Sequence, residues 1–227
     1  RTDLSRIQIR DVRLDRPITV DPETGTEIVI RAVVVETPAN EETVVQAGIV
    51  KTGSGIEADF FQASLVFEPL NGAPKVSFAL PKAPTPLVPQ TDLYRPSLLF
   101  QGPRFQGIRS VWTIHGSDPG AAQAIFTSHP TAADRLSSAA FGENEPRHLC
   151  LGDPFFLDTL LQSAALLVPQ DTSLPVAIDR MELFSEFFEA TSPATVQVTL
   201  IDKIDRDLTF QVMAVGQDNA VRAALSG

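Results

Sequence analysis

The sequence predicts an α+β fold in which long antiparallel strands wrap around a buried helix, and in which this arrangement occurs twice. Three observations carry the prediction. The stretch Gly152–Pro169, GDPFFLDTLLQSAALLVP, reads as a helix with almost no polar face. The runs Glu27–Glu36, Thr43–Lys51 and Glu57–Phe67 are rich in β-branched residues and separated at turn spacing, the mark of an antiparallel meander. The pattern of the first half then returns after the helix, as a repeat of pattern and not of residue identity.

Taken in order, Ile7–Val20 alternates apolar and polar residues and reads as a strand ending at Pro17 or soon after. Asp21–Gly25, DPETG, is a turn. The meander follows, and 81–91, PKAPTPLVPQT, is a proline-rich, semi-rigid linker. Phe105–Ile114 and Ala122–Ser128 read as strands, and Thr131–Ala140 as a short helix. In the central helix Asp153 is a good N-cap, Pro154 suits the first helical position and Pro169 stops it. With so little polar surface the helix should be covered on most sides. After it, Pro175–Phe184 echoes Ile7–Leu14, Ala194–Ile204 echoes Thr26–Glu36, Asp207–Val215 echoes Thr43–Lys51, and Asn219–Leu225 echoes the strand around Phe60–Phe67. The domains expected are 1–80, a linker at 81–92, and 93–227. Only six residues precede Ile7, so the first repeat is expected to be partial, without its leading strand and helix. An uncovered concave sheet would invite aggregation, which favours a fragment of a larger polypeptide or an adjacent covering segment.

The 227 residues suffice for one large domain or two fused small ones, and 43% apolar with 20% charged residues suits a sizeable core. A net charge of −10 argues against nucleic-acid and anionic-membrane surfaces. No apolar run approaches the ~18 residues of a membrane span, and no secretory h-region is present. Cys150 is the only cysteine, so no internal disulfide can form, and a cytoplasmic location is expected. With His115, His129 and His148 the only histidines, a structural zinc site does not suit the composition. No nucleotide or flavin signature is present.

One pattern points to chemistry. Asp158 and Gln162 stand four apart in the apolar helix and share a face. A carboxylate there loses hydration, which raises its pKa unless it finds partners. Such an Asp is ordinarily tied structurally to a neighbouring polar group; the other reading is a carboxyl kept protonated to serve as an acid. Phe100 and Phe105 read as channel-lining or core residues, and Tyr94 and Trp112 as core or interface. His115 and His129 read as loop histidines. Arg104 and Arg109 read as solvated charges or as contacts for a phosphate.

A sheet wrapped around one apolar helix, occurring in tandem, is the double hotdog, and the motifs here resemble dehydratase domains of polyketide synthases and polyunsaturated fatty acid synthases. The Asp-x-x-x-Gln/His motif of that family is Asp158 and Gln162 within DPFFLDTLLQ. Its Gly-x-x-Tyr-Gly-Pro-x-Phe motif is met by Gly102, Pro103 and Phe105, with Leu98 and Gln101 where the family has Gly and Tyr. Its Leu-Pro-Phe-x-Trp motif is met by Leu174 and Pro175, with Val176 and Ile178 in place of the aromatics. The histidine motif, His-x-x-x-Gly-x-x-x-x-Pro, is absent. His148 and Gly152 have its spacing, but Leu157 fills the proline position and the match falls in the wrong hotdog, so it is read as chance.

The resemblance implies water elimination from a β-hydroxyacyl thioester. Asp158 would be the acid and Gln162 would orient its carboxyl, while the base would be a histidine outside this chain. Gln101, Gly102, Pro103, Phe105, Leu174 and Pro175 would line the substrate site. No cofactor is implied beyond the phosphopantetheine arm of an acyl carrier protein. Partners would be that carrier protein, neighbouring synthase domains and a second copy in a homodimer. The missing histidine and the eroded motifs equally suit a non-catalytic, dehydratase-like structural domain; a third reading is isomerisation or product templating.

Overall fold

A computed structural model describes residues 6–35, 43–51, 59–68, 73–76, 90–95, 98–115, 122–128, 154–168, 173–184 and 194–227. The chain clusters into two compact units. The first comprises Arg1–Gly72, Pro175–Leu183 and Leu225–Gly227, and the second Ala73–Leu174 and Phe184–Ala224. The sequence readings of 81–89, Thr131–Ala140, Asp153, His129, His148 and Cys150 lie outside the described residues.

The first unit is an antiparallel sheet. It contains β1 (Arg6–Arg13), β2 (Ile28–Val35), β3 (Thr43–Lys51) and β4 (Asp59–Glu68), with order β2-β3-β4-β1. β2 and β3 pair without a slip from Ile28 opposite Lys51 to Val35 opposite Val44. β1 pairs with β4 from Arg6 opposite Glu68. The strand read from Ile7 stops at Arg13, well short of Pro17. Asp11 adopts φ 54° and the register shifts between Arg10 and Arg13, a bulge that bends the strand out of its ladder. The turn at Asp21 forms as the sequence predicts: Asp21 Oδ1 accepts from the Glu23 and Thr24 amides at 2.8 and 2.9 Å, and Gly25 takes φ 75°. Those amide donors hold the Asp21 carboxyl below the usual carboxylate range. The strand expected from Pro175 is β7 (Ala177–Phe184), which lies next to β1. Ile7, Ile9, Val12, Val66 and Ile178 are buried in this unit.

The second unit carries α1 (Gln90–Leu93), a 3-10 turn (Pro103–Phe105), β5 (Ile108–His115), β6 (Ala122–Ser128), α2 (Pro154–Ala165), β8 (Ala194–Ile204), β9 (Asp207–Val215) and β10 (Val221–Ser226). Its strands run in the order β10-β9-β8-β6-β5. The strand read from Phe105 begins three residues later, because Gly102–Phe105 closes a tight turn through a Phe105 N–H to Gly102 O bond of 2.9 Å. Along β8, Ala194, Val196 and Val198 are buried while their neighbours are half-buried, the period-2 alternation of a strand with one covered face. β8 and β9 are joined at Ile204 opposite Asp207, where Asp205 accepts φ 54°.

What covers that face is α2, which packs against β6, β8, β9 and the 3-10 turn. Its buried residues are Phe155, Phe156, Thr159, Leu160, Gln162 and Ser163. The expectation of a helix covered on most sides agrees with the described residues: beyond Pro154 none is exposed, Leu157, Leu161, Leu167 and Val168 are of intermediate burial, and the most deeply buried residues form one stripe of near-helical spacing. The buried hydroxyls cost little, since Thr159 donates to Phe155 O and Ser163 to Thr159 O, each at 2.8 Å. Ahead of Pro169 the last turn tightens, with Leu167 N–H to Ala164 O at 3.0 Å and Val168 N–H to Ala165 O at 3.1 Å. Leu160 is fully enclosed. Leu160→Ala is expected to cost about 2–5 kcal/mol, measured by urea unfolding; a loss under half a kcal/mol would mean that the helix does not hold the sheet.

Candidate functional site

The two polar residues singled out on the helix meet as their spacing requires. Gln162 Nε2 donates to Asp158 Oδ2 at 2.5 Å. The same Nε2 donates to the backbone oxygen of Phe105 at 2.7 Å, so the loop carrying Gly102, Pro103 and Phe105 is fastened to the helix at this pair. On the other end of the amide, Gln162 Oε1 accepts from the Tyr94 hydroxyl at 3.1 Å. The Tyr94 oxygen in turn accepts the Ile108 amide at 2.8 Å. Backbone of β5, tyrosine, glutamine and carboxyl thus form one chain of hydrogen bonds ending on Asp158.

Local sequence explains the loop. Gly102 is extended and Pro103, which lacks an amide hydrogen, opens the 3-10 turn. Gln106 Nε2 donates to Gln101 O at 3.2 Å, and Gly107 N–H to Phe105 O at 3.0 Å. Gly107 lies directly on α2, for a Cβ built there would fall 2.2 Å from Thr159 Oγ1. The Phe105 ring meets Phe155 edge-on, with centroids 4.8 Å apart and planes at 65°.

Burial pushes the Asp158 carboxyl above the usual carboxylate range, and the Gln162 bond draws it back only in part. Burial likewise pushes the Tyr94 hydroxyl up to about 12, so it remains a donor across the working range of a protein. The consequence for stability has a definite sign. The folded chain keeps a proton on Asp158 that the unfolded chain releases at ordinary carboxylate pH, so stability falls as pH rises from that range through the raised folded value. Asp158→Asn removes this titration. Its stability relative to the natural chain should therefore climb across that window and level off above it, as read by urea unfolding at a series of pH values. A constant difference would mean that the carboxyl titrates like an exposed one.

The structure brings together Asp158, Gln162 and Phe105, with Gln101, Gly102 and Pro103 in the same loop. Leu174 and Pro175 stand exposed in the coil before β7 and, among the described residues, have no part in this hydrogen-bond network. Phe100 is 56% exposed and Phe105 39% exposed, so neither is a core residue. Arg109 is exposed, and Trp112 and His115 lie on β5. Tyr94 is the residue that the sequence reading did not assign to the site. Its signal was available in principle, because a tyrosine hydroxyl in an apolar setting requires a partner. Among the described residues no group of three or more His, Cys, Asp or Glu side chains could hold a metal ion, and no helix is long and apolar enough to cross a membrane.

The family model described as the polyketide synthase dehydratase N-terminal domain matches residues 72–227. This chain belongs to the polyketide synthase dehydratase family. The match spans the loop, the helix and the whole network around Asp158. The dehydratase domain from the CurF module of curacin polyketide synthase superposes with a TM-score of 0.67 at 18% identity, covering 100% of this chain and 76% of that one. A trans-AT dehydratase domain from Brevibacillus brevis gives 0.68 at 16% identity, with coverage of 100% and 76%. A trans-acyltransferase polyketide synthase enoyl-isomerase gives 0.62 at 12% identity, covering 98% of this chain and 79% of that one. No curated protein sequence matches the chain. The fold is the hotdog-like dehydratase fold, an antiparallel sheet packed on a helix, and in this dehydratase-family chain that helix is α2.

Proposed function

We propose that this chain is the larger part of a double-hotdog domain that eliminates water from β-hydroxyacyl thioesters carried on an acyl carrier protein. The observation that carries the reading is the half-buried Asp158 carboxyl, its pKa raised by burial and one oxygen occupied by Gln162. A carboxyl so held keeps its proton to higher pH than an exposed one and can give it to a departing hydroxyl as the α-proton leaves to a base. The base is a histidine outside this chain. Gln162 orients the carboxyl, and the loop of Gln101, Gly102, Pro103 and Phe105 holds the acyl arm; the resemblance gives Leu174 and Pro175 the same role. The phosphopantetheine thioester is substrate, and no resident cofactor is needed.

Neighbouring synthase domains and a second copy are the partners, and an end strand such as β2, which exposes Ile30, Val33 and Val34, suits edge-to-edge pairing. A second reading, a structural dehydratase-like domain without turnover, draws on one observation: Val176, at the position of a family aromatic, is 71% exposed. The deciding experiment is turnover of a 3-hydroxyacyl thioester on a carrier protein by the parent polypeptide, extended upstream of Arg1. Enoyl product detected by mass supports the enzyme. A folded polypeptide that yields none leaves the structural domain.

A further inference from the structure

We propose that Tyr94 is a positioning residue, which holds the Gln162 amide with its NH2 end against Asp158 and so keeps Gln162 from accepting the proton of that carboxyl. The inference rests on the reading of Asp158 as an acid for its bearing on turnover, although the geometry behind it does not.

A glutamine amide has two ends of nearly equal shape and opposite hydrogen-bonding sign. Here both hydrogens of Nε2 have acceptors, Phe105 O at 2.7 Å and Asp158 Oδ2 at 2.5 Å. When Asp158 is ionised, those two acceptors suffice to select this orientation. When Asp158 is protonated, the selection weakens, because a turned amide could receive the carboxyl hydrogen on Oε1. The proton would then be spent on Gln162 instead of standing ready for a leaving group. Tyr94 opposes this turn. Its oxygen already accepts the Ile108 amide at 2.8 Å, a donor fixed in the β5 backbone, and its hydrogen therefore points to Gln162 Oε1 at 3.1 Å. Turning the amide would leave that hydroxyl hydrogen without an acceptor in a largely apolar setting, and would set Oε1 against Phe105 O.

Among the described residues, Arg109 and Asp158 are the ionisable groups whose charge reaches Tyr94. On the elements packed against α2, β6 has no ionisable residue, Asp202 and Lys203 of β8 and Asp207 of β9 are exposed, and Arg104 belongs to the 3-10 turn.

The test needs no turnover. In the 227-residue chain, aspartate carboxyl carbons are labelled with 13C and the Asp158 signal is assigned by its loss in Asp158→Asn. Tyr94→Phe keeps the ring and removes the hydroxyl. It should move the Asp158 titration midpoint upward, because the protonated form gains an acceptor. In a Gln162→Leu background the same substitution should move it no further. Tyr94 is the only tyrosine, so a single 13Cζ label adds a measurement on the unsubstituted chain. That signal should titrate with the Asp158 midpoint, and in Gln162→Leu its response should shrink to what the carboxylate charge alone produces. An unmoved midpoint in Tyr94→Phe, or equal shifts with and without Gln162, overturns the proposal. So does a tyrosine signal blind to Asp158, even where Tyr94→Phe does not fold. Failure of the dehydratase reading would show instead as absent water loss alongside an intact carboxyl coupling.

Discussion

Replacing Asp158 by Asn in the parent polypeptide is expected to lower the rate of water loss about 10²- to 10⁴-fold, the range that a positioned acid supplies. At about 1.36 kcal/mol per decade this is roughly 3–5 kcal/mol of barrier. The substitution is nearly isosteric, and Asn retains an oxygen that can accept the Gln162 N–H bond of 2.5 Å, so the loop fastening through Phe105 O should survive. What is lost is a transferable proton. The pH profile separates this from simple damage. Activity of the natural protein should fall at high pH as Asp158 ionises, at a point above the ordinary carboxylate range, and the residual activity of the variant should lack that limb. The assay offers a 3-hydroxyacyl thioester on a carrier protein, with enoyl product followed by mass. A variant that matched the natural rate would remove Asp158 from the chemistry.

The second large effect is expected at Gly107. A Cβ there would lie 2.2 Å from Thr159 Oγ1 and 3.2 Å from both Thr159 Cβ and Cγ2, so the loop and α2 would have to part. Gly107→Ala should cost about 1–3 kcal/mol of stability, the usual range for overpacking. It should also weaken the Phe105 O bond to Gln162, one residue pair away. Gly102, although it belongs to the recognised motif, is a useful contrast. It is extended and a Cβ there meets nothing within 4 Å, so Gly102→Ala should change stability by less than about 0.5 kcal/mol. Thr159→Ala removes Oγ1 and Cγ2 and should restore part of the loss in a double variant. Urea unfolding of the natural chain, the three single variants and the double variant measures these stability changes. Equal losses at Gly102 and Gly107 would contradict the close approach of loop and helix.

Elements whose cause is local were legible in the sequence. β8 and β9 have the bounds that their alternation and the turn at Asp205 dictate, and the turn at Asp21 closes on its own side chain. The pairing of Asp158 with Gln162 was legible too, since helix geometry alone puts them together. What escaped depends on neighbours remote in sequence. An apolar run cannot show which of its residues lie deepest, and only the structure separates the buried stripe of Phe156, Leu160 and Ser163 from Leu157 and Leu161, which are of intermediate burial. The bulge at Asp11 falls where Arg10 and Asp11 break the alternation, a phase slip that the reading of Ile7–Val20 as one strand passed over. Tyr94 stands 68 residues from Gln162, and Gly107 owes its requirement to a threonine on another element. No periodicity encodes either relation.

The edge of the first unit has a practical consequence for anyone handling the protein. Ile30, Val33 and Val34 are 71%, 61% and 66% exposed on β2, a strand at the end of its unit's order. Apolar side chains beside a ladder edge that no described strand covers offer a template to any extended chain that comes near. The chain purified by itself should therefore self-associate as concentration and salt rise, and dilution series by light scattering would have to precede every kinetic or spectroscopic comparison among its variants. Lysine placed at Val33 or Val34 is the economical remedy, because a charge on an edge strand must be desolvated before a second strand can dock.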